Sequence, residues 1–382
     1  MPPIFTAEEY HARVSTLRKA LREHELDAAV VHTPENVCYL SGHATPGYYT
    51  YQCLVVTAAG DVAVLSRETE TVNAGETTHL EHIVGYPDTA DPVQATVDLL
   101  AEMAPNARAV GVEARSWFFP PALFAQLTGK LEATGARIVH VDDTLAGQRL
   151  IKSAAEIEQI RAAAASTNAG MAAAARAAVP GASEREVAAA AFSGLIKTGS
   201  EYFGMEPFVA SGPRAGTIHA SWSDRVIGAN EPVLLEMSAT VGRYNAPLMH
   251  TVWTGELSGQ AAAMAGACAD ARAATLAEVR PGGSPAAAHQ ICKEVIAEAA
   301  LAHTYRKRSG YSVGIAFAPD WGEGHILSLK ETEERTFEPG MVVHVVPTLR
   351  ISGVAGIGLS ATVLVTEDGH EVLTSCQIGP QL

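Results

Sequence analysis

The rhythm of the chain changes once, near Leu150, Ile151, Lys152 and Ser153, and that change limits the folds open to it. Before it, short apolar segments alternate with helical ones. Thr6 to Glu9 has the pattern of a capping box, with Val14, Leu17 and Leu21 following at helical spacing. Residues 28–31 read as a strand, and 52–58 pairs with 62–65 across a turn at Ala59, Gly60 and Asp61. Helical stretches near 92–103 and 120–133 alternate with strands at 109–112 and 136–141. Such alternation predicts an α/β domain over residues 1–150. After the change, Ser153 to Glu156 is a capping box that starts a long Ala-rich helix to Val179, where Pro180 and Gly181 stop it. Ser183 to Glu186 caps the next helix. Strands follow around 231–253, helices at 258–278 and 284–300, and strands near 341–350 and 357–366. Helix–helix–strand–strand thus occurs twice, which predicts an α+β domain over residues 151–382 with a hint of internal duplication.

Composition narrows the partners. A length of 382 residues suggests two domains, or one large one, with ample core, and the formal charge of −15 disfavours nucleic acid and anionic membranes. Five scattered cysteines without a CxxC pair predict neither a disulfide framework nor a zinc knuckle, and fit a reducing cytoplasm. The N-terminus has no basic region followed by an apolar stretch, so no signal peptide is expected. No apolar segment reads as membrane-spanning.

Three segments hold residues suited to chemistry. Glu236 stands among Val233, Leu234, Leu235 and Met237, none of which can pair a carboxylate. A buried ionised carboxylate costs several kcal/mol unless it is paired or functional, so Glu236 is a metal ligand, a general base or a nucleophile, or it faces solvent from a half-exposed strand. His219 lies in a Gly- and Ser-rich loop with Trp222 and Asp224; it is an acid, base or ligand, or a surface residue. Trp222 is a pocket wall or a packing residue. Asp320, Trp321, Gly322 and Glu323 put two carboxylates beside an aromatic, a site for a cationic or amidine-like ligand or else a capped turn over a buried Trp. His344, in an apolar strand, has the pattern of a hydrogen-bonded core residue, and with His250 and His325 adds imidazoles without a local metal-ligand spacing.

At these residues the chain resembles the pita-bread superfamily, which includes creatinase, aminopeptidase P and prolidase. The resemblance covers essentially the whole chain, from a creatinase-like N-terminal domain through the Lys152 to Glu158 entry to the ending at Val363 to Gly369. It implies a creatinase-like α/β domain followed by a pita-bread catalytic domain. The five metal-ligand positions of the superfamily's metallopeptidases fall on Glu236, Pro247, Tyr311, Val346 and Ser360, of which only Glu236 is a carboxylate. Pro, Val and Tyr do not replace the ligands of a dinuclear site, so no metal and no other cofactor is expected.

Within the superfamily the chain is similar to the ectoine hydrolases, through His219 with Trp222 and Asp224, Glu236 with Arg243 and Tyr244, and Gly310, Tyr311 and the Pro319 to Glu323 run. It departs from them at Asn245, at Met249 and His250 (usually Ser and Arg), at Gly358 and at Ala361. The resemblance implies a metal-independent hydrolase cleaving a C–N bond of a small cyclic amidine, guanidine or amide. Glu236 would be nucleophile or base and His219 the proton shuttle. Asp224, Asp320 and Glu323 would hold an amidinium. Trp222, Tyr244, Tyr311 and Trp321 would wall the pocket, with Arg243, Asn245, His250 and His344 also in contact with substrate. The resemblance further implies a homodimer in which the partner's N-terminal domain closes the pocket; the aromatic loop carrying Tyr49 is the candidate for that contribution, or else its tyrosines are half-buried at the domain interface. The alternatives are an Xaa-Pro aminopeptidase-type metalloenzyme, a non-catalytic binding protein and a lyase.

Overall fold

The computed structural model describes residues 3–376, which divide into two compact units on either side of the Arg149–Leu150 junction. The first is a six-stranded sheet in the order Ile83–Tyr86, Val62–Arg67, Cys53–Thr57, Ala28–Val31, Ala109–Val112, Arg137–His140. Ala28–Val31 pairs antiparallel with Cys53–Thr57 and parallel with Ala109–Val112, so the sheet is mixed. Helices Pro92–Met103 and Pro121–Ala133 bury Leu99, Leu100, Leu127 and Leu131 in the same core as Val30, Val55 and Val110. This unit contains its own buried carboxylate. Glu113 accepts hydrogen bonds from the His32 and Thr33 amides (2.5 and 2.8 Å) and from Asn36 Nδ2 (2.5 Å), which places it at the start of helix Pro34–Ser41. With its lone pairs satisfied in this way, Glu113 is a structural group.

The second unit has two pairs of helices, Ala154–Ala177 with Glu184–Lys197 and Gly259–Glu278 with Pro285–Glu298. Ser153 and Ser183 each form a reciprocal capping box. The Ala-rich first pair packs at close range where its glycines meet: a Cβ on Gly194 would lie 2.8 Å from the Gly170 Cα. Strands Leu248–Trp253, Pro232–Met237 and Phe208–Ser211 form an antiparallel sheet in that order. A five-stranded sheet runs Ser328–Leu329, Gly310–Ser312, Val342–Val345, Ala361–Val365, His370–Val372. A separate ladder pairs Thr348–Ile351 with Ala355–Gly358, and the bridge from His250 to Leu359 joins it to the first sheet's edge.

Strand alternation sets what each face of these sheets meets. Val233, Leu235 and Met237 pack with Met171, Ala174, Val187 and Leu195 of the first helix pair. Leu234 instead joins Ala215, Met249 and Val346, away from those helices. Glu236, two residues on from Leu234, is on this second face. Likewise Leu349 and Ile351 pack with the second helix pair, which leaves Thr348 and Arg350 on the opposite side of their strand.

Candidate active site

Glu236 is 7% exposed, and among the described residues no donor makes a hydrogen bond to its carboxylate. Its cross-strand neighbours are Met249 on one side and Phe208 on the other. From Met249 a chain of contacts leads to a cation. Lys307 Nζ donates to Thr348 Oγ1 at 3.1 Å, and Thr348 Oγ1 lies 3.1 Å from Met249 Sδ. Arg350, two residues beyond Thr348, donates through Nη1 to the carbonyls of Ala215 and Thr217 at 2.9 and 3.1 Å. Burial raises the Glu236 pKa, opposed by Lys307 and then Arg350. Burial likewise pulls Lys307 down to about 8, against the pull of Glu236, and lowers Arg350.

On the Phe208 side the ring of His219 stacks on the Phe208 ring at 5.5 Å, and Trp321 meets the Phe208 ring edge-on at 5.6 Å. The loop holding His219 is clamped by Glu184. One of its carboxylate oxygens accepts from the Ser211 amide and hydroxyl (2.7 and 2.8 Å), the other from the Ser223 amide and hydroxyl (2.9 and 2.6 Å) and from Arg214. His219 itself has φ +53°, a left-handed conformation uncommon for a non-glycine residue and often found at functional sites. Burial, Arg350 and Lys307 lower its pKa, while Asp320 opposes them, so the imidazole is neutral at pH 7. The same two cations therefore act on both Glu236 and His219.

A hydrogen-bonded run continues from Trp321. Its Nε1 donates to Tyr311 OH at 2.9 Å, and Tyr311 OH lies 3.0 Å from His344 Nδ1. His344 Nε2 lies 2.7 Å from Ser360 Oγ, which also accepts from the Met249 amide at 2.6 Å. His344 is fully buried and held far below its usual pKa by burial, so it is a neutral link. It orients Tyr311, which packs against the Leu234 and Met249 cluster.

Several residues expected to touch substrate are engaged elsewhere. Asp224 is 81% exposed and pairs with Arg185 Nε at 2.9 Å. Glu323 is buried against Lys152 Nζ at 2.8 Å and also accepts from Ser312 Oγ and the Ile315 amide. Both are corrections to the expected amidinium clamp. Asp320 Oδ1 caps its own turn, accepting from the Trp321 and Gly322 amides. Buried Arg243 donates to the carbonyls of Tyr202 and Ala316, with its guanidinium 3.7 Å from the Tyr202 ring centroid. Tyr244 OH donates to Glu156 at 2.8 Å. Asn245 Oδ1 accepts from Ser238 and Thr240. All three are engaged within the protein, Arg243 with backbone carbonyls and Tyr244 and Asn245 with other side chains.

His250 pairs with Leu235, so alternation turns it to the helix-packed side, away from Glu236; burial and Arg272 bring its pKa to about 4. Trp222 packs edge-on against Phe192 of helix Glu184–Lys197 at 5.5 Å. Tyr49 belongs to the N-terminal unit and is 78% exposed.

Reading the sequence missed Lys307, Arg350, Phe208 and Thr348. Lys307 sits in a run of three cations, Arg306 to Arg308, which has the pattern of a solvated face. Arg350 carried a usable signal, because Thr348, Leu349, Arg350 and Ile351 alternate polar with apolar.

The positions corresponding to metal ligands do not supply a donor set. Pro247 offers only a carbonyl, already taken by Thr362 Oγ1 at 2.7 Å, and Val346 lies in the apolar cluster. Tyr311 and Ser360 are occupied with His344. Among the described residues no three His, Cys, Asp or Glu side chains gather to hold an ion. These residues do not fit a dinuclear centre.

Comparison with known proteins agrees with this architecture. Residues 158–367 match metallopeptidase family M24, and residues 13–151 match the creatinase/prolidase N-terminal domain. An uncharacterized hydrolase/peptidase of Sinorhizobium fredii is 30% identical over 97% of this chain and 96% of its own length. The ectoine hydrolase of Halomonas elongata is 26% identical, again over 97% and 96%. The prolidase of Pyrococcus horikoshii superposes with a TM-score of 0.84 at 22% identity, covering 96% of this chain and 99% of its own. The prolidase of Thermococcus sibiricus superposes with a TM-score of 0.86 at 18% identity, covering 96% and 97%. The chain belongs to metallopeptidase family M24, as a creatinase-like α/β domain followed by a C-terminal pita-bread domain.

Proposed function

We propose that this M24-family hydrolase cleaves a C–N bond other than a peptide bond, in a small amide, amidine or guanidine, without a metal ion. The observation that carries this reading is Glu236, a buried carboxylate with no hydrogen-bond donor among the described residues, facing a site that also receives His219. Such a group is poorly solvated and electrostatically activated, which suits a nucleophile or a general base. As nucleophile, a Glu236 oxygen bonds the amide or amidine carbon and the C–N bond breaks, the leaving nitrogen taking a proton. Water then cleaves the adduct and restores the carboxylate. As base, Glu236 takes a proton from the attacking water directly. In the nucleophilic course neutral His219 takes a proton from water and passes it to the departing nitrogen, and the hydroxide so formed cleaves the adduct; in the general-base course His219 relays to that nitrogen the proton that Glu236 has taken. Lys307 and Arg350 oppose the effect of burial and so favour the anionic form of Glu236. Partial identity to an ectoine hydrolase supports the non-peptide bond. The donor set at the metal positions supports the absence of a metal. The reading also includes a homodimer whose partner N-terminal domain covers the pocket, with Tyr49 in the covering loop.

The test is turnover by the wild type and by Glu236→Gln of ectoine, hydroxyectoine, creatine, small N-acyl amino acids and Xaa-Pro dipeptides, each with and without chelator. The expected outcome is hydrolysis of a non-peptide member, indifferent to chelator and lost in Glu236→Gln, whose circular dichroism is unchanged. Retained activity in folded Glu236→Gln, or metal-dependent cleavage of Xaa-Pro dipeptides alone, refutes it.

A further inference from the structure

Lys307 and Arg350 are both half-buried, and neither has a carboxylate within ion-pair distance among the described residues. Lys307 donates to a neutral hydroxyl, and Arg350 to two backbone carbonyls. Cations withdrawn from water without a counter-ion are costly, and proteins keep them where a ligand supplies the missing charge. The remaining charges sharpen the sign. Asp224 is paired with Arg185 and Glu323 with Lys152, while Asp320 holds the Trp321 and Gly322 amides through Oδ1 and still acts on His219. Two anions, Glu236 and Asp320, and three cations, Lys307, Arg308 and Arg350, together leave one positive charge in excess. A cationic amidinium would add to that excess, whereas a monoanion neutralises it.

The positions of the groups are specific. Lys307 reaches the site through Thr348 and Met249, the latter directly opposite Glu236 on the neighbouring strand. Arg350 reaches it on the loop side, beside Ala215. The two cations thus flank the carboxylate from adjoining elements. We infer that the substrate is a carboxylate-bearing neutral amide, its carboxylate seated on Lys307 and Arg350 and its C–N bond held against Glu236. Lys307 and Arg350 are then the specificity-determining residues. The seat accounts for the shape of the site as well. A side chain at Gly358 would collide with Met249 Sδ, so this position adds no carboxylate beside the cations.

This inference rests on the proposed function only in taking this pocket as the substrate site, and its test is separate. Isothermal titration of Glu236→Gln, in which no turnover is expected, would use 5-oxopyrrolidine-2-carboxylate and N-acetylglycine, each beside its primary carboxamide, and acetamidinium as a cation. The carboxylates are expected to bind at least tenfold more tightly than their carboxamides. Lys307→Met, made on that background, should abolish the preference without altering carboxamide binding, and Lys307→Arg should keep it. Arg350→Met should weaken the carboxylates in the same direction. Equal affinity for carboxylate and carboxamide, binding of neither carboxylate, preference for acetamidinium, or an unchanged preference in Lys307→Met overturns the seat. Activity retained by Glu236→Gln would refute the proposed function and leave the seat standing.

Discussion

Replacing Lys307 with methionine is expected to stabilise the protein at neutral pH while impairing its site. Burial holds the Lys307 ammonium at about 8 against an ordinary 10.5. At about 1.4 kcal/mol per pH unit, this gap corresponds to a folded-state penalty of about 3 kcal/mol at pH 7. Methionine retains most of the unbranched stem and removes the charge. It forfeits the hydrogen bond to Thr348 Oγ1, a loss of about 1 kcal/mol, while that hydroxyl keeps Met249 Sδ and the Val346 carbonyl within reach. The net gain is about 2 kcal/mol at pH 7. Its pH dependence identifies the cause. Below pH 8 lysine is protonated in both folded and unfolded chains and the wild type bears the full penalty. Between pH 8 and 10.5 the unfolded chain binds more protons than the folded one, so wild-type stability rises with pH and the advantage of methionine disappears. Urea unfolding followed by circular dichroism at pH 7 and pH 10 reads both quantities. A methionine variant less stable than wild type at pH 7, or an advantage equal at the two pH values, refutes the account of Lys307 as an unpaired desolvated cation. A stabilised variant that loses carboxylate binding also shows that the binding defect is not unfolding.

Two further predictions concern the residues around the site. Lys152→Met leaves Glu323 buried without its cation and should destabilise the protein by about 3–5 kcal/mol, measured by urea unfolding; a loss under about 1 kcal/mol would show that the pair is dispensable. Tyr311→Phe leaves Trp321 Nε1 and His344 Nδ1 without their shared partner and should cost about 1–3 kcal/mol; an unchanged unfolding midpoint would argue against the Trp321–Tyr311–His344 run.

Much of the fold is local in origin and was legible for that reason. Ser153 and Ser183 bond to amides three residues away, and Ala59 to Asp61 turn between strands that pair directly. Helix Pro34–Ser41 was less legible, because its start lies beside Glu113, 77 residues from the Asn36 that it holds. The long Ala-rich helix ends at Ala177, two residues earlier than its composition suggests, with Pro180 and Gly181 following. In the site, the apolar run around Glu236 and the loop around His219 marked the two groups that the structure brings to Phe208 and its neighbours.

The sequence by itself determined the two-part rhythm, the capped helices and the solitary carboxylate, since each depends on residues a few positions apart. Only the tertiary structure decided which charges are free. Glu323, two residues from Trp321 in the chain, is neutralised by Lys152 from 171 residues away, while Lys307 and Arg350, near Glu236, have no carboxylate within ion-pair distance among the described residues. The cost of a buried charge depends on what surrounds it in space, and pattern along the chain does not supply that neighbour.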